Sequence, residues 1–123
     1  MKYIAVYGSL RPGHYNFKRF NDVFPGFINH IETHKINGYK LYNLGAYPAA
    51  VESGDLDDTI EVDILEITDP YIYSSIKNME LGAGYYVEEI DISNHTCEIF
   101  LKYEEDVKQI GGELVKSGNW NNL

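Results

Sequence analysis

The chain has 123 residues, 44% of them hydrophobic, and a formal net charge of -9. That is enough apolar material for one core, so a single domain over 1–123 is expected. A surplus of negative charge repels a phosphate backbone, which argues against nucleic acid as a partner. Cys97 is the one cysteine, so there is neither an internal disulfide nor a cysteine metal cluster. No apolar run approaches the ~18 residues of a membrane-spanning helix. The N-terminus enters a strand without a signal-peptide pattern, so a cytoplasmic location is expected.

Taken in order, the apolar run Tyr3 to Tyr7 reads as a buried strand. It empties into Gly8-Ser9-Leu10-Arg11-Pro12-Gly13, and a short helix is predicted over residues 15–23. A strand leading into a glycine loop ahead of a helix brings backbone N–H groups against a ligand. Gly8, lacking a Cβ, lets that ligand approach the main chain. Phe17 and Phe20 face the core, and Phe24-Pro25-Gly26 ends the helix. Ile28 to Ile36 and Tyr39 to Asn43 are predicted as antiparallel strands of a hairpin, because Asn37-Gly38 is the strongest short hairpin signal. Leu44 to Val51, with Gly45, Tyr47 and Pro48, reads as an irregular apolar loop.

Gly54-Asp55 with Asp57-Asp58 marks a turn. In Thr59 to Ile67, Ile60, Val62 and Ile64 alternate, and Leu65 and Ile67 then take the opposite phase. Either both faces are buried there or a bulge resets the register. The period next changes. Thr68-Asp69-Pro70 starts a helix, Ile72, Ile76 and Met79 share one face, and Gly82 and Gly84 stop it. Two more strands, Gly84 to Ile92 and Thr96 to Tyr103, flank Ser93-Asn94-His95. The tail from Asp106 is partly helical at most. The sum is α+β: a small mixed, largely antiparallel β-barrel with flanking helices.

Glu80 falls in the last turn of the second helix, at the edge of its apolar stripe. The negative end of the helix dipole and partial burial both disfavour an ionised carboxylate. Such a group exchanges a proton near neutral pH. Position alone singles it out only weakly from the other glutamates, since charged residues are mostly solvated.

Tyr7-Gly8-Ser9-Leu10-Arg11 resembles the opening loop of the γ-glutamylcyclotransferase-like family. Tyr39-Lys40-Leu41-Tyr42 with Gly45-Ala46-Tyr47-Pro48-Ala49 is similar to that family's following strand and tyrosine–proline loop. Met79-Glu80-Leu81-Gly82 through Tyr85-Tyr86 resembles the segment with the family's acid–base glutamate, and Ser117-Gly118-Asn119-Trp120 its C-terminal motif. The chain departs from the family pattern at Val62-Asp63, Leu81 and Val87-Glu88. The resemblance implies release of 5-oxoproline from a small γ-glutamyl amine or peptide by attack of the substrate's α-amine on its own γ-carbonyl. It implies no metal and no cofactor. Glu80 is then the general acid/base, and the Gly8, Ser9 and Leu10 amides bind the substrate carboxylate or the oxyanion. Tyr7, Tyr47 and Tyr86 form walls. Arg11 is read equally as a surface charge or as a carboxylate clamp on the substrate. The expected assembly is a monomer or a weak homodimer.

Other readings are weaker. Ser9 lacks the flanking glycines of a nucleophile elbow. His30, Glu32 and His34 share a strand face, but the two histidines are then ~13 Å apart, too far for one zinc. Cys97 falls in the apolar phase and reads as core. Two alternatives to the cyclotransferase remain: a binding module of the same fold without turnover, and an amide hydrolase in which Glu80 activates water.

Overall fold

The computed structural model describes residues 2–121. In chain order the elements are β1 (Lys2–Val6), α1 (Tyr15–Val23), β2 (Ile28–Asn37), β3 (Tyr39–Asn43), β4 (Pro48–Glu52), β5 (Thr59–Ile67), α2 (Pro70–Gly82), β6 (Tyr86–Ile92), β7 (His95–Leu101), α3 (Glu104–Gln109) and β8 (Glu113–Leu114). The strands form a sheet in the order β2-β5-β1-β7-β4-β3-β8, and β6 also pairs with β7. β1 is central, antiparallel to β5 and parallel to β7. Ile4, Ala5 and Val6 are accordingly all buried, as a strand covered on both faces requires.

β2 and β3 stand near opposite ends of this order, yet only Gly38 separates them in the chain. So short a link forces the sheet to curl until its ends approach, and the result is a half-barrel. Main-chain bonds cross the seam: the Gly38 amide donates to the Asp58 carbonyl at 2.8 Å, and Ser53 N–H donates to the Gly38 carbonyl at 2.9 Å. The tail completes the closure. Val115 N–H donates to Leu41 on β3, and Glu61 N–H on β5 donates to the Gly118 carbonyl, both at 2.8 Å.

Strand alternation sorts the side chains into two cores. Ala5, Leu41, Ala50, Ile60, Val62, Ile64, Cys97, Ile99 and Leu101 pack inside the curl. Ile4, Val6, Leu65, Ile67 and Phe100 face the other way and are covered by Phe20, Ile72, Ile76 and Val107 of the helices. The phase change at Leu65 thus reflects burial of both faces of β5. The register irregularity lies in its partner, between His30 and Glu32 of β2.

Two expectations are corrected. Asn37-Gly38 does not join a hairpin: β2 pairs with β5, and β3 pairs with β4. Only Gly38 takes positive φ, whereas the type I′ turn that Asn-Gly favours needs it at both residues. Ser93 and Asn94 both take it, at 48° and 65°, and join β6 to β7. The segment expected to be an irregular loop contains β4, held in register from Tyr39↔Glu52 to Asn43↔Pro48. Pro48 is tolerated because it is the first residue of its strand.

Gly118 has φ +68°, and a Cβ there would lie 2.1 Å from the Thr59 carbonyl oxygen. Gly54, with φ +71°, faces open space. Gly54→Ala should cost about 1–2 kcal/mol for the backbone conformation alone. Gly118→Ala should cost clearly more, roughly 3 kcal/mol or above, because the seam must also open. Urea midpoints of the two variants measure the difference.

Candidate active site

The loop after β1 is shaped by a close approach. A Cβ on Gly8 would sit 2.7 Å from Pro48 Cγ, so only glycine lets the loop lie against β4. The Arg11 amide donates to the Gly8 carbonyl at 3.0 Å, and the Ser9 carbonyl accepts from Asn16 N–H and Phe17 N–H at 3.0 and 3.1 Å. The second contact does the work of a cap, since His14 at the N-cap of α1 supplies no side-chain bond. Asn16 Nδ2 donates to Ser9 Oγ at 2.6 Å. Among the described residues, these turn bonds use the carbonyls of Gly8 and Ser9 and leave the Gly8, Ser9 and Leu10 amides outside them.

Helix α2 starts where Asp69 Oδ1 accepts from Tyr71 N–H and Ile72 N–H, at 2.9 and 3.0 Å, with Pro70 in the first turn. Ile72 and Ile76 are buried under it. Met79 and Glu80 follow at the edge of that face, near the C-terminal cap at Ala83.

Loop and helix meet at a cavity of about 280 Å³. Its lining includes Tyr7, Gly8, Ser9, Leu10 and Asn16 from the first part of the chain, Tyr47 from the β3–β4 turn and Pro48 at the start of β4, and Met79, Glu80, Ala83 and Tyr85. Burial pushes the Glu80 carboxyl up to about 7, against a smaller opposing pull from the Lys102 ammonium. Tyr7 and Tyr85 lie close enough to Glu80 to feel its charge, and burial holds both phenols well above their usual range. The Tyr7 hydroxyl donates to the Phe100 carbonyl, and the Tyr85 hydroxyl to the Pro48 carbonyl at 2.6 Å.

Tyr7, Gly8, Ser9, Leu10, Tyr47 and Glu80, all singled out in the sequence, therefore line one space. Two other residues do not. Tyr86 points to the opposite side of its strand, packs with the core inside the curl and stacks on Tyr103 at 4.5 Å. Its neighbour Tyr85 takes the cavity position, because the alternation of β6 puts Tyr85 and Val87 on the helix-covered side. Arg11 is neither a surface charge nor open to a ligand carboxylate. It is 3% exposed. Its Nε donates to Asp63 at 2.6 Å, Nη2 to Glu61 at 2.6 Å and Nη1 to Asn119 at 2.8 Å. Asp63 also accepts from Thr33 Oγ1 at 2.5 Å and lies 2.9 Å from His30 Nε2. Burial raises the Asp63 carboxyl, but its bonds to Arg11 and Thr33 outweigh that and leave it below the usual carboxylate range.

Asn16, Pro48 and Met79 were not anticipated from the sequence. Parity of the strand after the helix could have separated Tyr85 from Tyr86; nothing local in the sequence marks Asn16. Val62, Leu81 and Val87, where the chain departs from the family pattern, do not line the cavity. Cys97 is fully buried, and burial pushes its thiol up to about 11. No cluster of His, Cys, Asp or Glu suited to a metal occurs among the described residues. No helix among them is long and apolar enough to cross a membrane.

Two outcomes follow. Arg11→Met leaves Asp63 buried without its cation and should cost about 3–5 kcal/mol by chemical denaturation. Adding Asp63→Val should restore part of that loss. For Glu80, the folded protein binds the proton more tightly than the unfolded chain does, so the penalty for ionising it grows as pH rises from about 4.5 to about 7. Glu80→Gln should therefore stabilise the protein at pH 8 by up to about 3 kcal/mol and leave it nearly unchanged at pH 4. Melting temperatures across that range test the sign.

The gamma-glutamyl cyclotransferase, AIG2-like family matches residues 4–122. Among solved structures, the chain is similar to the uncharacterised protein PH0828 of Pyrococcus horikoshii, with 26% identity and a TM-score of 0.76 over 98% of this chain and 91% of that one. It is also similar to the ytfP protein of Escherichia coli, with 27% identity and a TM-score of 0.72 over 96% and 95%. One part of the Kluyveromyces lactis allophanate hydrolase, 20% of its length, shares the fold at 15% identity and a TM-score of 0.74 over 98% of this chain. A comparison with curated proteins finds no match. With nearly its whole length matched, the chain belongs to the AIG2-like gamma-glutamyl cyclotransferase family.

Proposed function

We propose that the protein releases 5-oxoproline from a small γ-glutamyl amine or peptide. The observation that carries this reading is the shared cavity: Glu80, with its carboxyl held near neutrality, and the Gly8–Leu10 backbone line the same space. The substrate contains its own nucleophile. Its γ-glutamyl chain must be bent so that the α-amine reaches the γ-carbonyl, and the close walls of Tyr47, Pro48 and Met79 favour such a compact conformer.

Ionised Glu80 takes a proton from the α-amine as its nitrogen attacks. A five-membered ring closes, and the carbonyl oxygen becomes an oxyanion. The Ser9 and Leu10 amides are donors for that oxyanion or for the α-carboxylate. The bond to the leaving amine then breaks, and protonated Glu80 returns its proton to the departing nitrogen. A carboxyl balanced near pH 7 suits both halves, because neither protonation state is costly to reach.

The test is Glu80→Gln against a panel of γ-glutamyl amines and peptides, with products identified by mass spectrometry. The wild type should yield 5-oxoproline and the free amine, and the variant should lose at least about 10²-fold in turnover while remaining folded. Free glutamate in place of 5-oxoproline would mean hydrolysis. Ligand-induced stabilisation with no product would mean a binding module.

A further inference from the structure

Lys102 follows β7 directly, and its amide donates to the Ala50 carbonyl at 3.0 Å, which fixes its backbone. Its side chain crosses to the end of α2. Lys102 Nζ donates to the Ala83 carbonyl at 2.9 Å and sits 4.6 Å from the centre of the Tyr85 ring. Ala83 is the C-terminal cap of α2, with its own amide 3.1 Å from the Glu80 carbonyl. Gly84 makes the approach possible: its φ is +91°, and a Cβ there would lie 3.0 Å from Nζ. A cation at the carbonyl end of a helix is also favourably placed against the helix dipole.

We propose that Lys102 is a positioning residue for Glu80: pinned between the Ala83 carbonyl and the Tyr85 ring, it holds the last turn of α2 against β7 and fixes a cation at the helix end that carries Glu80. The inference rests on Glu80 as the acid–base group and adds the residue that balances its charge. The other ionisable groups near Glu80 are Tyr7 after β1 and Tyr85 before β6, with Tyr47 beside Tyr85. From α1, Arg19 Nη2 reaches Met79 Sδ at 3.5 Å, one residue from Glu80. Burial opposes ionisation of Glu80, and Lys102 opposes burial. Without the ammonium the carboxylate becomes harder to form, so base catalysis fades at a higher pH than before.

Three variants separate the charge from the tether. Lys102→Met removes both, Lys102→Gln keeps a hydrogen-bond donor without the charge, and Lys102→Arg keeps the charge. Glu80 is titrated directly by carbon-13 NMR of its side-chain carboxyl, alongside the pH profile of kcat/KM for 5-oxoproline release. The expected result is a higher Glu80 midpoint in Lys102→Met and Lys102→Gln, with a drop in kcat/KM of roughly threefold or more on the acid limb. Lys102→Arg should restore both. A folded Lys102→Gln protein whose Glu80 titrates as in the wild type overturns the proposal. The NMR titration needs no turnover, so a protein that forms no 5-oxoproline refutes the proposed reaction without deciding the role of Lys102.

Discussion

Arg11 is buried at 3% exposure, and its guanidinium is shared by two segments distant in sequence. Asp63 and Glu61 lie on β5, and Asn119 lies in the tail that bridges the seam of the half-barrel. A buried charge is tolerated only when its donors are satisfied with good geometry, and the planar guanidinium can serve several oxygens at once. Arg11 stands one residue beyond the Gly8–Leu10 backbone. Fixing its side chain against β5 therefore fixes the direction in which that backbone runs. The cost of desolvating the ions is exchanged for a loop with one conformation.

The opposite wall is built by apolar packing. Ile72 and Ile76 anchor α2 to the sheet, so the residues at its end reach a defined point on the rim. Glu80 is thereby taken partly out of water, and among the described residues burial dominates its ionisation. Its behaviour is a balance between loss of solvent and one nearby cation. The charge on Arg11 and that on Glu80 illustrate two uses of burial. In the first, full pairing suppresses titration of Asp63. In the second, incomplete compensation leaves the carboxyl raised to about 7.

Much of this was legible in the sequence because it is local. The alternation in Thr59–Ile67, the Asp69-Pro70 helix start and Gly84, with φ +91°, each set a backbone conformation by themselves. The resemblance over several short segments then supplied the glutamate, which helix geometry alone only narrowed. What escaped was nonlocal. Asn37-Gly38 resembles a hairpin turn, but the choice of partner for β2 is made by β5, many residues later. Pro48 discouraged a strand, although the first position of β4 needs no ladder bond from it. The pairing of Arg11, read equally as a surface charge or a carboxylate clamp, escaped because its acidic partners alternate with Val62 and Ile64 on a strand whose other face is the core. Tyr86 was preferred over Tyr85 because parity across the bend after α2 depends on where the strand begins.

The two phenols beside Glu80 have already committed their hydrogens, one to the Phe100 carbonyl and the other to the Pro48 carbonyl. A hydroxyl whose hydrogen is engaged can offer a newcomer only lone pairs. The phenols of Tyr7 and Tyr85 thus bring no free hydrogen to the cavity, whereas the loop after β1 brings N–H groups to the same lining.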